Sequence, residues 1–298
     1  MSELSDAGSS EEKRPQFGTR YLTSETDVFQ HNAWDDVDWT DEQVQEAEEK
    51  IQGQLVHRLS DEKKNFYIDS SDQFWDKFYG THQNKFFKDR HWLFTEFPEL
   101  LDDKISKIFE VGCGVGNTVF PILTTRRDSD LFIYCCDISS VAIDLLQKHP
   151  SFDSTRCEPF VCDITLDEFD FPFEKSSLDA VICVFALSAV QPSKIDSVIK
   201  KMVGYLKPGG LLLFRDYGRY DMAQMRFKTG HCLGENLYVR GDGTTAYFFS
   251  PEEIDSFLTN AGLVKNSLVT DRRLQVNRGK QLKMYRVWVQ AKYTKPLL

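Results

Sequence analysis

Short apolar runs alternate with amphipathic segments along most of the chain after residue 105. The apolar runs are residues 108–111, 131–136, 160–162, 178–185 and 211–214, which have the composition of buried strands. Between them, residues 141–146 follow a Ser139 or Ser140 cap, and residues 195–206 carry apolar side chains at helical spacing after Pro192. Buried strands that alternate with helices predict an α/β fold with a parallel sheet covered on both faces.

The C-terminal part of the chain departs from this alternation. Residues 263–269 and 284–291 have strand character and are joined by a polar stretch that contains Asn277-Arg278-Gly279. Two successive strands without an intervening helix predict an antiparallel hairpin, which we expect at the edge of the sheet.

The first strand ends in a loop with three alternate glycines, Glu110-Val111-Gly112-Cys113-Gly114-Val115-Gly116-Asn117. Glycine permits a sharp turn and lets backbone N–H groups approach a ligand where the next helix begins. The dinucleotide fingerprint G-x-G-x-x-G would need glycine in place of Asn117. The spacing is instead similar to the E/D-x-G-x-G-x-G loop of class I S-adenosylmethionine (SAM) methyltransferases, in which the acid holds the loop and orients the methionine end. An ordinary glycine-rich turn is the alternative for the loop alone.

Acidic residues follow the next two strands. Asp137 comes about twenty residues after the loop, where a carboxylate can accept the ribose hydroxyls of an adenosine. Asp163 suits the adenine amino group, with Ile164 against the ring. Each acid alone is better explained as a strand-end or turn carboxylate than as a ligand. Their recurrence at successive strand ends favours a ligand, because open α/β sheets bind ligands there.

Composition excludes several classes of protein. With 298 residues, of which 41% are hydrophobic, the chain can bury a substantial core, as one domain with an extension or as two domains. No apolar run has membrane-spanning length, and the acidic start resembles neither a secretory nor a mitochondrial signal. The seven cysteines include no C-x-x-C pair, so we expect reduced thiols, no metal site, and a cytoplasmic location with the nucleus as alternative.

The net charge of −10 is unevenly distributed. Residues 1–50 contain 4 Lys and Arg against 14 Asp and Glu, whereas residues 201–298 contain 16 against 8. The C-terminal third interleaves arginines with aromatic residues, and such side chains contact phosphates and stack on unpaired bases. The pattern favours RNA binding, with a solvated basic surface as the alternative.

Five stretches of the sequence together resemble the eukaryotic tRNA 3-methylcytidine methyltransferases. They are FKDRHW at 87–92, EVGCGVGN at 110–117, RDYG at 215–218, YVRGDG at 238–243 and DRRLQVNR at 271–278. The resemblance extends from about residue 16 to the C-terminus. HNAWDDVDW at 31–39 is similar to the branch that acts on threonine and arginine tRNAs. The resemblance implies SAM as methyl donor and N3 of cytidine 32 in the anticodon loop as acceptor.

The resemblance also implies the domain organisation. We expect a class I SAM-dependent methyltransferase fold, Rossmann-like, with a mostly parallel seven-stranded sheet, an antiparallel last strand and an N-terminal helical extension. The polar and charged composition of residues 1–16 predicts a disordered acidic tail. The other parts would be an extension at 17–100 that contributes to tRNA binding and a cofactor lid, and a methyltransferase domain at 101–298 with basic substrate-binding elements.

The loop and the resemblance together give ten expected cofactor contacts: Trp75, Tyr79, Glu110, Gly112, Gly114, Gly116, Asp137, Asp163, Ile164 and Val184. Trp75 and Tyr79, at i and i+4, are also explained as helix core. Substrate contacts are expected at Phe87, Lys88, Arg90, Arg215, Tyr217, Arg219, Arg226, Arg240, Arg272, Arg273 and Arg278.

The chemistry makes modest demands on side chains. Cytidine N3 has a free lone pair at neutral pH and needs no base, so positioning should dominate. Methylation makes the ring cationic, and Asp216, or else Asp221, is expected to stabilise that charge unless it only pairs with a neighbouring arginine. Tyr217 or Phe87 would stack on the extruded base.

The expected partner is the tRNA anticodon stem-loop, without a membrane. An accessory tRNA-delivery protein or an aminoacyl-tRNA synthetase is a further candidate. Two other functions stay open from the sequence: a methyltransferase of small molecules or proteins, and a SAM-binding scaffold for a partner enzyme. The basic and aromatic C-terminal third opposes the former.

Overall fold

The computed structural model describes residues 20–297, so the tail predicted at residues 1–16 lies outside the described residues. The strands are β1 Ala33–Asp35, β2 Lys107–Val111, β3 Phe132–Asp137, β4 Cys157–Val161, β5 Leu178–Val184, β6 Leu206–Tyr217, β7 Cys232–Gly234, β8 Leu237–Val239, β9 Thr245–Tyr247, β10 Val264–Asn277 and β11 Leu282–Thr294. The helices are α1 Asp41–Val56, α2 Asp61–Asp69, α3 Ser71–His82, α4 Leu93–Glu96, α5 Val119–Thr125, α6 Ser140–Gln147, α7 Pro192–Tyr205, α8 Met222–Met225 and α9 Pro251–Asn260, with short 3-10 turns at Glu25–Gln30, Pro98–Leu101 and Leu187–Ala189.

The main sheet has eight strands in the order β1-β10-β11-β6-β5-β2-β3-β4. The five strands from β4 to β6 in this order are parallel. Most of their apolar side chains are buried, as continuous apolar runs predict for a sheet with both faces covered. β11 runs antiparallel between β6 and β10, which confirms the predicted antiparallel last strand.

An eighth strand extends the expected seven-stranded sheet. β1 comes from the N-terminal extension and pairs antiparallel with β10, so β1 covers the hairpin of β10 and β11. The sequence predicts that the hairpin forms the edge of the sheet, but the edge strand on this side is β1. β10 also continues to Asn277, beyond the predicted strand at 263–269. Residues 270–276 have the composition of a polar connection, but buried Leu274 and Val276 alternate there with more exposed polar residues.

Helix caps fix the elements that surround the sheet. α6 begins after Ser139, whose hydroxyl accepts a hydrogen bond from the Ala142 N–H, and α9 begins with a reciprocal capping box between Ser250 and Glu253. α3 packs against α6, where Tyr79 contacts the same apolar cluster as Ala142. This packing places one helix of the N-terminal extension beside the carboxyl ends of the parallel strands.

A second, three-stranded antiparallel sheet is formed by β7, β8 and β9 in that order. The sequence pattern does not indicate this sheet, because strands of three residues are too short to show a period. The Thr245 hydroxyl of β9 donates a hydrogen bond to the Ala189 carbonyl, which attaches this small sheet to the turn that follows β5. Between residues 20 and 297, no helix combines the length and apolarity needed to cross a bilayer.

Candidate active site

A cavity of about 670 Å3 opens at the carboxyl ends of β2, β3, β4 and β5, next to α2 and α3. Its volume is typical of small-molecule and cofactor sites. Six of the ten expected cofactor residues line it: Trp75, Tyr79, Gly112, Asp137, Asp163 and Ile164. It is also lined by residues that the sequence analysis does not single out, among them Ile68, Asp72, Phe185, Gln191, Lys194 and Thr245. The fold thus gathers acids from two strand ends and aromatic rings from the extension around one space.

The glycine loop needs glycine for both conformation and space. Gly112, Gly114 and Gly116 have φ of 68, 53 and 91°, in the left-handed region that other residues rarely adopt. A Cβ on Gly112 would lie 2.6 Å from the Cβ of Ala186, and one on Gly114 would lie 2.6 Å from the Tyr79 hydroxyl oxygen. Gly112 lines the cavity, whereas Gly114 and Gly116 shape the loop behind it.

Asp137 is oriented by the loop it faces. Its carboxylate accepts hydrogen bonds from the N–H groups of Gly114 at 2.8 Å and Ser139 at 3.0 Å. Burial raises the pKa of Asp137 to about 6, although these N–H donors act in the opposite direction. Because each carboxylate oxygen has a second lone pair, this cavity-lining group can also accept hydrogen bonds from the hydroxyls of a ligand.

The loop after β4, which lines the cavity, is bound by Lys201, a residue that the sequence pattern does not indicate. Asp163 accepts hydrogen bonds on one carboxylate oxygen from the N–H and the hydroxyl of Thr165, at 2.9 and 2.7 Å. From α7, the Lys201 ammonium donates to the carbonyl oxygens of Ile164, at 3.0 Å, and of Leu166. These contacts present Asp163 and Ile164 together on the cavity wall.

One aspartate attaches α3 to the start of α6, and nothing in the sequence pattern indicates it. The Asp76 carboxylate accepts hydrogen bonds from the Ser139 hydroxyl at 2.6 Å and the Val141 N–H at 3.1 Å. Trp75 and Tyr79, on the same helix, line the cavity and also pack in an apolar cluster. Burial, and secondarily the charge of Asp137, raises the pKa of the Tyr79 hydroxyl well above its usual range. The two interpretations of these rings, helix core and cofactor wall, therefore both apply.

Glu110 lies at the end of β2, outside the cavity lining. It is 1% exposed, and neither carboxylate oxygen accepts a hydrogen bond from a described residue. Arg90 Nη1 lies 3.7 Å from Glu110 Oε1 and donates a hydrogen bond to the Thr118 hydroxyl at 2.7 Å. Burial raises the pKa of Glu110 to about 8, although the Arg90 charge opposes this shift. The expected substrate residue Arg90 therefore sits at the cofactor loop.

Val184 corrects one expected cofactor contact. Its side chain is fully buried in the core and does not line the cavity, whereas the next two residues, Phe185 and Ala186, do. Phe185 has a φ of 55°, a costly conformation for a bulky residue. β5 ends at Val184, one residue before the end of the apolar run 178–185, and the positive φ of Phe185 turns that residue to the cavity.

Phe185 belongs to a row of alternating rings and guanidinium groups, called here the cation–aromatic row: Arg90, Phe185, Tyr217 and Arg240. The ring centroids of Phe185 and Tyr217 lie 5.1 Å apart. Arg90 Cζ lies 5.6 Å from the Phe185 centroid, and Arg240 Cζ lies 5.6 Å from the Tyr217 centroid. Cations at this distance from ring faces are attracted to them. The row joins the cavity to the carboxyl end of β6, and it contains two of the arginines expected to contact substrate.

Asp216 is fully buried next to this row. Its carboxylate accepts hydrogen bonds from the N–H groups of Ser188 at 2.9 Å and Tyr217 at 2.8 Å. Burial raises the pKa of Asp216 to about 6, and these hydrogen bonds together with the charge of Arg240 oppose the shift. Asp216 thus supports the backbone that carries Tyr217.

Asp221 has a structural role, which corrects the expectation that it is catalytic. It caps α8 by accepting a hydrogen bond from the Ala223 N–H. Its second oxygen accepts from Arg286 Nε and from the Val287 N–H, each at 2.8 Å. With three donors and no exposed surface, its carboxylate has no access to a ligand.

Arg215 is a third correction, because its side chain is buried instead of presented to RNA. Its guanidinium lies 5.0 Å from the rings of both Trp92 and Trp288 and donates hydrogen bonds to Gln290 and Asp271. Burial lowers the pKa of Arg215, and Asp271 counteracts this. The residue is 5% exposed, so it cannot reach a phosphate without unfolding its surroundings.

The remaining basic residues divide between paired and available groups. Arg219 pairs with Glu253 at 3.2 Å, and Arg273 pairs with Asp35 at 3.4 Å. Phe87, an aromatic residue also expected to contact substrate, packs beside Phe78. Exposed or half-exposed cations expected to contact substrate are Lys88, Arg226, Arg272 and Arg278.

Two of these cations, Arg272 and Arg278, lie on a projecting arm, defined as residues 272–287 of β10, β11 and their turn. β6 ends at Tyr217, opposite Trp288, while β11 begins six residues earlier, so the arm extends about 20 Å beyond β6. Besides the arginines named above, the arm carries Lys280, Lys283 and Arg286. Among residues 20–297, no group of three or more His, Cys, Asp or Glu side chains is arranged to hold a metal ion.

Comparisons with known proteins agree with this architecture. Residues 109–212, from β2 into β6, match a family described as a methyltransferase domain. In solved structures, the fold is similar to that of a protein from Pyrococcus horikoshii OT3, with a TM-score of 0.54 and 16% identity, covering 74% of this chain and 98% of the other. A SAM-dependent methyltransferase from Methanosarcina mazei gives a TM-score of 0.51 and 19% identity, covering 67% and 97%. At such low identity these structures show the fold alone.

Relatives in sequence are much closer. The chain is 50% identical to the tRNA N(3)-cytidine methyltransferase METTL2 of Danio rerio, over 96% of this chain and 91% of the relative. It is 46% identical to METTL2B of Homo sapiens, over 96% and 95%. The tRNA(Thr) (cytosine(32)-N(3))-methyltransferase of Saccharomyces cerevisiae is 44% identical over 94% of this chain and 46% of its own length. From this identity over nearly its whole length, the chain belongs to the tRNA N(3)-cytidine methyltransferase family.

Proposed function

We propose that the protein transfers a methyl group from SAM to N3 of cytidine 32 in the anticodon loop of threonine tRNA, and of arginine tRNA as a second substrate. The observation that carries this proposal is a cavity suited to an adenosine cofactor that opens directly onto the cation–aromatic row. Family membership gives the reaction, and the row provides a place for an unstacked pyrimidine beside the donor.

The cavity residues fit SAM. Asp137 has lone pairs available for ribose hydroxyls, Asp163 and Ile164 offer a carboxylate and an apolar side chain for adenine, and Trp75 and Tyr79 supply ring surface. Bound SAM supplies an electrophilic methyl group on a sulfonium centre.

The acceptor needs orientation and not proton abstraction, because N3 of cytidine carries a free lone pair. We assign stacking of the extruded base to Phe185 and Tyr217, which lie at the junction between the cavity and the arm. Asp216 holds Tyr217 in place through its backbone N–H, and its negative charge favours the cationic ring that methylation creates. Arg240, over the Tyr217 ring, is assigned to the flanking phosphate.

The arm and the N-terminal extension are assigned to the rest of the anticodon stem-loop. Arg272 and Arg278 lie on the arm, and Lys88 lies in the loop between α3 and α4 of the extension. Together they place positive charge on either side of the acceptor position, which suits a phosphate backbone that passes across the sheet edge. We also infer a cytoplasmic location, and an accessory tRNA-delivery protein or an aminoacyl-tRNA synthetase as partner in the cell.

The test is methylation of unmodified tRNA transcripts by the purified full chain with SAM. N3 methylation blocks base pairing, so reverse transcription of a threonine tRNA transcript should stop at position 32. A transcript with uridine 32 is the matched control and should give no stop.

A protein that binds SAM but methylates threonine tRNA only after a cell fraction is added would favour dependence on a partner. Methylation of proteins or small molecules with none of tRNA would contradict the proposal.

A further inference from the structure

The turn between β8 and β9, called here the Arg240 turn and defined as residues 240–244, is closed by its own hydrogen bonds. The Arg240 N–H donates to the Thr244 carbonyl at 2.8 Å, and the Gly243 N–H donates to the Arg240 carbonyl at 3.0 Å. One Asp242 carboxylate oxygen accepts from the Thr244 N–H and hydroxyl, at 2.9 and 2.7 Å. The turn is therefore a compact unit, and the position of the Arg240 guanidinium depends on what holds that unit.

The tip of the Arg240 turn lies directly against a ring of the N-terminal extension. Gly243 has a φ of 91°, and a Cβ placed on it would overlap the ring of Phe74. The position therefore needs glycine both for its backbone conformation and for the space that the ring occupies. On its other side, Phe74 packs against the rings of Phe66 and Tyr67 in α2, at centroid distances of 5.8 and 5.5 Å. Phe74 is thus enclosed between α2 and the turn.

Phe74 belongs to the helix that forms one wall of the cofactor cavity. α3 presents Asp72, Trp75 and Tyr79 to the cavity, and their spacing of three and four residues places them on one face of the helix. Phe74 lies outside that lining. The same helix is attached to the start of α6 through Asp76. A single helix thus contacts the cofactor cavity and the turn that carries Arg240.

The position of Arg240 matters for two groups at the acceptor site. Its Cζ lies 5.6 Å from the centroid of Tyr217, and its charge lowers the pKa of Asp216 against the effect of burial. The Thr245 hydroxyl, which donates to the Ala189 carbonyl at 3.3 Å, holds the start of β9 but not the tip of the turn. A displaced turn would therefore disturb the acceptor position without any change in the cofactor contacts.

We propose that Phe74 is a positioning residue that couples the cofactor site to the tRNA site. SAM bound against the cavity face of α3 fixes that helix, and the Phe74 ring then holds the tip of the turn, so that Arg240 is in place for the phosphate beside the acceptor base. The proposal rests on the proposed use of SAM and tRNA. Coupling of this kind is reciprocal, so bound RNA must raise the affinity for the cofactor by the same factor.

The test measures the affinity of the full chain for an anticodon stem-loop RNA of threonine tRNA, with and without S-adenosylhomocysteine, which has no methyl group to transfer. In the unaltered protein, we expect S-adenosylhomocysteine to tighten RNA binding about 5- to 20-fold, in the usual range for coupling between two sites. Phe74→Ala should leave each affinity measured alone within about twofold and reduce the coupling factor to below about two. Phe74→Leu, a milder truncation, should give an intermediate factor.

A pair of glycine substitutions provides the matched control. Gly243→Ala forces a side chain into the Phe74 ring at a positive φ, and it should lower the coupling factor as Phe74→Ala does. Gly53→Ala in α1 adds the same methyl group where nothing lies within 4 Å, and it should leave the coupling factor unchanged.

The outcomes separate this proposal from the proposed function. RNA affinity that does not respond to S-adenosylhomocysteine in the unaltered protein would overturn the coupling, and so would an unchanged coupling factor in Phe74→Ala. Weaker S-adenosylhomocysteine binding by both Phe74 variants without RNA would also overturn it, because Phe74 would then support the cofactor site alone. Failure of the unaltered protein to bind either ligand would instead contradict the proposed function.

Discussion

The two halves of the main sheet use their polar residues in opposite ways. In the half formed by β2, β3 and β4, carboxylates stand at strand ends, and Asp137, Asp163 and Glu110 keep lone pairs free. In the half formed by β6, β10 and β11, charged residues lie within strands and form ion pairs with one another, as Arg215 does with Asp271. Charge at the end of a parallel strand is available to a ligand, whereas charge in a strand interior stabilises the sheet.

The strongest test of this contrast is Arg215→Ala. Removing Arg215 breaks a buried ion pair, but Arg273 stays 3.3 Å from the same Asp271 oxygen. We therefore expect a loss at the lower end of the range for a broken buried pair, about 3 kcal/mol, in the free energy of unfolding. Chemical denaturation measures this loss. SAM affinity of the folded fraction should stay the same, and an unchanged stability with weaker tRNA binding would show that Arg215 is available to RNA after all.

Asp137→Asn tests the opposite half of the sheet. Loss of the charge that accepts the ribose hydroxyls should weaken SAM binding on the order of 100-fold, as expected for two hydrogen bonds to a charged group. The free energy of unfolding should rise or stay constant, because burial already raises the pKa of Asp137 to about 6 and the ionised form is costly. Calorimetry and denaturation on the same variant separate the two effects.

Burial raises the pKa of the Glu110 carboxyl to about 8, which predicts how the stability of the protein depends on pH. Its folded state binds a proton more tightly than the unfolded state, so the contribution of Glu110 to stability falls as pH rises from about 4.5 to about 8. The other titratable groups that influence or lie near Glu110 are Arg90, Asp137, Tyr79, Cys113 and Cys183. Of these, Asp137 acts in the same direction near pH 6.

Lys201→Met should give a smaller effect. Without the ammonium, the carbonyls of Ile164 and Leu166 lose their donor, and the adenine end of the cavity loosens. We expect SAM affinity to fall about three- to tenfold, in line with one or two hydrogen bonds. Lys201→Arg should restore most of it, and Lys200→Met, an adjacent exposed lysine, is the control.

The smallest effect is expected from Arg278→Ala on the turn of the arm. An exposed phosphate contact contributes modestly, so tRNA affinity should fall about two- to fivefold and its salt dependence should decrease by about one phosphate contact. SAM affinity should not change. Binding titrations at several salt concentrations measure both quantities.

The sequence predicts the parallel sheet well because buried strands and helix caps leave local signals. It also predicts six of the residues that line the cavity, since the glycine loop and the acids at the ends of β3 and β4 mark strand ends. Three features of the structure cannot be predicted from the sequence pattern, and the reason is the same for each. Asp76, Lys201 and the buried state of Arg215 depend on contacts between residues 37 to 65 positions apart, which no local period encodes.

The short strand β1 has a consequence for shortened forms of this protein. A chain that begins after residue 35 would leave the outer backbone groups of β10 without partners and would uncover the apolar residues Leu274 and Val276. An unprotected, half-apolar border of this kind recruits other strands. Removal of the first 35 residues should therefore promote self-association, even though the catalytic pocket is far along the chain from the cut.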